Sequence, residues 1–152
     1  MRLITNILGV VFILVGLVGF ANHHLMGMHL TTLHNILHLV TGVIALYLGI
    51  KGTDRAVRMW CRGFGIAYAL LGLIGFAFGG DAFTIKGFMG QYGDNVMKLI
   101  PGHLELGRGD HIMHVILGVL FLVAGFIPAD VDRRVRESTD RVKERAQTAG
   151  RS

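Results

Sequence analysis

The sequence predicts an all-α integral membrane protein, a four-helix bundle made of two parallel repeated helical hairpins. Three observations predict it. Charged residues are 16% of the 152 residues, apolar ones are 52%, and mean hydropathy is +0.55. A typical soluble domain carries about 25% charge. Lys, Arg, Asp and Glu are absent between Arg2 and Lys51, between Arg62 and Asp81, and between Asp110 and Asp130. Finally, one glycine-marked pattern occurs twice. The length suits a single domain. One cysteine, Cys61, excludes an intramolecular disulfide and any multi-Cys metal centre.

Each span follows from the charge-free runs. A membrane helix needs about 20 mainly apolar residues. The first run holds 48, enough for two spans broken at Asn22-His23-His24. The expected helices are 3–21, 31–50, 60–79 and 109–128, joined by an outer connection over 80–108 and followed by a charged tail over 129–152. Together, residues 1–128 are read as the transmembrane domain. Runs such as Gly9 to Phe20 lack the polar–apolar alternation of a barrel strand, so helices are expected. Gly19-Phe20-Ala21 resembles a signal cleavage site, but the same pattern in the third span favours a retained helix.

Basic residues set the expected orientation. Lys51, Arg55, Arg58 and Arg62 lie within 12 residues between the second and third spans, and seven more basic residues lie in the tail. The connection between the first two spans has none. Both termini are therefore expected in the cytoplasm. Tyr47 and Trp60 fall where interfacial rings are expected. The pI near 9.9 needs no nucleic acid, because anionic inner-leaflet lipid suits these cations. The partners expected are the lipid bilayer and a second copy of the chain or another membrane protein.

The repeat is read from Gly9 to Ala21 set over Gly65 to Ala77, where seven of 13 residues are identical. His38, Gly42, Val43, Leu46 and Gly49 likewise fall over His114, Gly118, Val119, Leu122 and Gly125. A unit with two spans keeps its orientation when duplicated. The glycine pairs 9/16, 65/72, 42/49 and 118/125 are each seven apart, so each helix should carry a groove for close packing. In the outer connection, glycines alternate with Phe83, Ile85, Phe88, Met89 and other apolar residues. It is read as an insertion of the second repeat, with a lid over the bundle as the alternative. Pro128 should end the fourth helix, and the tail should form a solvated or lipid-surface helix.

All eight histidines fall in the expected outer half. His34 and His38 share a helix face, and His111 and His114 nearly do. Asn35 and Asp110 stand beside them as hydrogen-bond partners. The leading reading is structural: these residues join helices. Three sharper readings compete. His34, His38, His111 and His114 are candidate Zn or Cu ligands. His38 and His114 are candidate axial ligands of haem. The cluster is also a candidate proton relay or quinone contact. No catalytic residues are read: the nearby acids Asp81, Asp94, Glu105 and Asp110 form no recognisable pair, and Cys61 lies at the opposite face.

Leu33 to Leu46, Gly65 to Gly75 and Gly109 to Gly118 together resemble a bacterial four-helix membrane family, domain of unknown function 4383. The resemblance extends over about residues 3–127. Its most specific part is Asn-x-x-His at Asn35 and His38, echoed by Asp-x-x-x-His at Asp110 and His114; His111 stands where the family usually has Asn. The resemblance implies a bacterial inner-membrane protein without an assigned activity. The expectation is thus a non-enzymatic protein, structural or accessory to a partner, without a cofactor. The alternatives are a haem- or transition-metal-binding redox module and a small oligomeric transporter or channel.

Overall fold

A computed structural model describes residues 1–79 and 96–150. It is all-α apart from one small hairpin. Five α-helices stand among the described residues: α1 (Arg2–Ala21), α2 (Thr32–Lys51), α3 (Asp54–Phe78), α4 (Arg108–Phe126) and α5 (Ala129–Ala149). A 3-10 turn spans Leu25–Gly27, and β1 (Met97–Ile100) pairs antiparallel with β2 (Leu104–Leu106). α1 to α4 are each long and apolar enough to cross a membrane. The lid reading of the outer connection falls mainly on residues 80–95, which lie outside the described residues, as do Asp81 and Asp94.

Local chemistry explains the helix limits. Thr31 caps α2 by accepting the His34 N–H, and Thr53 caps α3 by accepting the Ala56 N–H at 3.2 Å. That cap starts α3 at Asp54, so the helix is longer than the 60–79 span expected. Its first turn extends beyond the apolar run as polar helix. α4 starts where Asp110 turns back to accept the Gly107 N–H at 2.7 Å. Pro128 separates α4 from α5, having no N–H with which to continue the ladder. Asp130 and Asp132 in the first turn of α5 suit its positive dipole end.

The helices pack as two tight pairs, α1 on α2 and α3 on α4. Glycine sets the approach. A Cβ on Gly42 would stand 2.7 Å from the Gly9 carbonyl oxygen, and one on Gly65 would stand 2.9 Å from the Gly118 carbonyl oxygen. Only a hydrogen fits there. Between the pairs lies a core of Leu8, Phe12, Val57, Cys61, Leu117, Phe121 and Ala124. Trp60, Phe64 and Tyr68, four apart on α3, stack in a column beside it, with ring centres 4.3 and 5.1 Å apart. Trp60 thus packs on Phe64, whereas Tyr47 is 65% exposed.

The outward faces are apolar. Leu3, Ile7, Val10, Leu14 and Leu17 of α1 are all about half exposed. A water-soluble domain rarely shows a stripe of that length; in lipid it is the expected surface. Polar contacts gather at the two ends. At the end where Met1 and the start of α5 lie, Arg2 reaches Asp54 and the Gly52 carbonyl, Arg62 donates to the Gly125 carbonyl, and Arg136 bridges Asp132 and Asp54. At the other end, the Thr31 hydroxyl donates to the His103 carbonyl and fastens the β-hairpin to α2.

Candidate functional site

The buried polar residues meet near the loop end, between α2 and α4. The α-helical repeat of 3.6 residues puts His34 and His38 one above the other. Their rings stack with centres 4.4 Å apart. On α4 the same spacing aligns Asp110 with His114. All four are at most 5% exposed.

Asp110 organises the site. One carboxylate oxygen accepts two backbone N–H groups, from His29 at 2.6 Å and from Gly107 at 2.7 Å. The other lies 3.8 Å from His34 Nδ1. That nitrogen is also 3.0 Å from the His29 carbonyl. A carbonyl only accepts, so Nδ1 of His34 carries the proton. Two backbone N–H groups thus satisfy one oxygen of the buried Asp110 carboxyl, and the His34 ring lies beside the other.

Deeper in, rings replace ions. His38 lies against Phe12 at 5.2 Å, and His114 stands edge-on to Tyr68 at 4.9 Å and 5.9 Å from His34. Thr41 hydrogen-bonds the Tyr68 hydroxyl. Nδ1 of His38 and Nδ1 of His114 find no hydrogen-bond partner among the described residues. Both histidines line a cavity of about 20 Å³, walled by Val11, Phe12, Val15 and Leu117. That is room for about one water molecule.

The structure brings together His34, His38, Asp110 and His114, and separates Asn35 and His111 from them. Asn35 turns toward α1, where it sits against Gly19 and donates to the Leu30 carbonyl at 3.1 Å. His111 turns toward α3, against Gly75 and edge-on to Phe76 at 5.5 Å. One residue along a helix is a turn of about 100°, so each neighbour of a cluster residue points elsewhere. Among the described residues, no group of three or more His, Cys, Asp or Glu is placed to hold a metal ion. His38 and His114 stand among the rings of His34, Phe12 and Tyr68.

Sequence reasoning passed over His29, Thr41 and Tyr68. His29 acts through its backbone, which no side-chain pattern reveals. Tyr68 had a signal: it falls opposite Phe12 in the repeat, one ring with a hydroxyl and one without.

A family model described as "Domain of unknown function (DUF4383)" matches residues 2–102. The chain belongs to the DUF4383 family. The match takes in α1, α2, α3 and β1, two thirds of the chain. The half of the DUF4383 site supplied by α2 lies inside it, and Asp110 and His114 lie beyond its end. No curated protein and no solved structure matches this DUF4383 chain.

Proposed function

We propose that this is a multi-pass protein of the bacterial inner membrane, with both termini cytoplasmic and no enzymatic activity, structural or accessory to a membrane partner. Residues 1–128 are its membrane domain and 129–152 its cytoplasmic tail. Two parallel hairpins, α1–α2 and α3–α4, build that domain. The buried histidine cluster is the polar joint between them, in the outer half.

The observation that carries this reading is the His34–Asp110 contact, buried and made across the two hairpins. Setting Gly9 over Gly65 and His38 over His114 makes His34 and Asp110 repeat equivalents. The same alignment pairs Thr5 with Cys61 and Phe12 with Tyr68. All three pairs touch: Thr5 Oγ1 lies 3.3 Å from Cys61 Sγ, and the Phe12 and Tyr68 rings are 5.4 Å apart. Equivalent residues meet only near a symmetry axis, so these contacts favour two hairpins related about an axis along the membrane normal. Lys51, Arg55, Arg58 and Arg62 favour the cytoplasmic side for the end where Met1 and the start of α5 lie.

The test is made on protein purified in mild detergent. It should show no absorbance band between 350 and 600 nm and no tightly held metal at the cluster. Asp110→Ala orphans two N–H groups and should cost about 3 kcal/mol in unfolding titrations. Asp110→Asn, which keeps an acceptor oxygen, should cost less. A Soret band lost in His38→Ala and His114→Ala would instead make the protein a haem module. Zn or Cu that survives chelator washing and is lost in those variants would make it a metal module. Substrate-dependent flux through reconstituted oligomers would make it a transporter or channel.

A further inference from the structure

The charges of α5 are sorted by sign around a valine stripe. At about 100° per residue, Val131, Val135, Val142 and Ala146 share one face about 60° wide. Arg134, Arg141 and Arg145 border that face on one side, and Arg136 and Lys143 border it on the other. Glu137, Asp140 and Glu144 stand on the opposite face. Arg133 stands with them, 4.0 Å from Glu137. Asp132 is the one acid near the cations of the border, and it is buried and bound by Arg136 at 2.6 Å. Water alone gives no reason to set cations beside apolar residues and acids far from them. An anionic leaflet does. The apolar stripe enters it, the bordering cations reach its phosphates on long stems, and the acids stay in solution.

The rest of the helix fits that position. Val131, Val135 and Val142 are 44%, 52% and 66% exposed, so the stripe is not spent on the bundle. Ser138 and Thr139, between the valines and the cations, both donate to the Val135 carbonyl at 2.8 Å. Neither hydroxyl then depends on water. Only Ile127 and Pro128 separate α5 from α4, a reach of about 10 Å. The first turn of α5 therefore starts at the end of a membrane-length helix. Asp132 and Arg136 tie it to the bundle, with Arg136 3.2 Å from Asp54. That edge lies about a quarter turn from the valines. One edge of α5 thus holds the bundle while the valine edge faces away from it.

We propose that α5 lies along an anionic lipid surface, with its valine stripe in the leaflet and Arg134, Arg141, Lys143 and Arg145 at the phosphates. This rests on the reading of residues 1–128 as a membrane domain. Valine and alanine are small anchors beside the Trp, Phe and Leu of strong interfacial helices. Attachment therefore depends on the cations, and α5 responds to the acidic-lipid content of the leaflet. Where acidic lipid is scarce, only the Asp132–Arg136 edge holds the helix.

The test places the full chain in nanodiscs, which leave both membrane faces open, so it works whichever side of the membrane α5 occupies. One set of discs is phosphatidylcholine and the other a mixture with phosphatidylglycerol. A nitroxide is attached at Val142→Cys or at Asp140→Cys. Both positions are exposed and lie on opposite faces, two residues apart, so neither change disturbs the fold. The unaltered chain, whose single thiol is buried, gives the background. Collisions with oxygen, which concentrates in lipid, are compared with collisions with a neutral nickel chelate, which stays in water. In phosphatidylglycerol discs the label at 142 should meet oxygen and the label at 140 the chelate. In phosphatidylcholine alone both should meet the chelate. Arg134→Gln/Arg141→Gln/Arg145→Gln should weaken attachment about fivefold per cation, on the order of 100-fold together. Salt at about 1 M, where charges are screened within about 3 Å, should release the stripe. Equal access of the chelate to both labels in phosphatidylglycerol discs would overturn the proposal and make α5 a solvated helix. Protection at 142 that persists in phosphatidylcholine or in detergent would also overturn it, because the stripe would then be covered by protein. A chain that enters no disc and stays dissolved without detergent would overturn the membrane reading itself.

Discussion

Gly63 and Gly118 show how differently one residue type can act in these helices. A Cβ at Gly63 would meet nothing within 4 Å. Gly63→Ala should therefore stabilise α3 by up to about 1 kcal/mol, the helix-propensity gain. A Cβ at Gly118 would stand 2.5 Å from the Ala69 backbone nitrogen. Backbone on both sides cannot yield, so Gly118→Ala should cost about 1–3 kcal/mol despite the same gain. Unfolding of the two variants in detergent measures both signs, and equal effects would show that the α3–α4 approach is looser than described. The same residue-scale logic separates the histidines. Asp110 and His114 point into the joint, while His111, beside Asp110 in the chain, points at Gly75. The spacing of these residues was legible in the sequence. Which of them converge was not, because helix rotation depends on the packed neighbour.

At the scale of elements, α5 is fastened to the membrane helices by charge. Asp132 accepts from the Met1 amine at 2.6 Å and from Arg136 at 2.6 Å, and Arg136 also reaches Asp54 at 3.2 Å. Burial pushes the Asp132 carboxyl up, but the amine and Arg136 outweigh it and hold it below its ordinary value of 3.8. A depressed carboxylate contributes stability above its unfolded pKa and loses it as pH falls through the folded value. Docking of α5 should therefore be complete at neutral pH and weaken below about pH 4. Protease cleavage near residues 133–140 across that range checks this, and Asp132→Asn should cleave readily at every pH. A flat cleavage profile in the unaltered chain would place the anchor elsewhere. The tail helix itself was legible as a charged segment after Pro128. Its anchor was not, since it joins residues 131 positions apart.

At the scale of the whole molecule, Cys61 reports on the core. It is 0% exposed, beside Thr5 between the two helix pairs. As the chain's single thiol, it should resist maleimide in folded protein and label fully after denaturation. Labelling of folded protein to more than a few per cent would mean that the helix pairs separate readily. Four membrane-length helices and an all-α class follow from the sequence by itself, because lipid demands about 20 apolar residues per crossing and internally satisfied backbones. That requirement acts locally and is written into consecutive residues. The glycine grooves were also legible, since a small residue every seventh position marks one face of one helix. The convergence of His34, His38, His114 and Asp110, the turning away of Asn35 and His111, and the fastening of His29 were decided only by the tertiary structure. Those features depend on the rotation of each helix against its neighbours and on backbone atoms far apart in the chain, and neither is encoded in the spacing of residues along one segment.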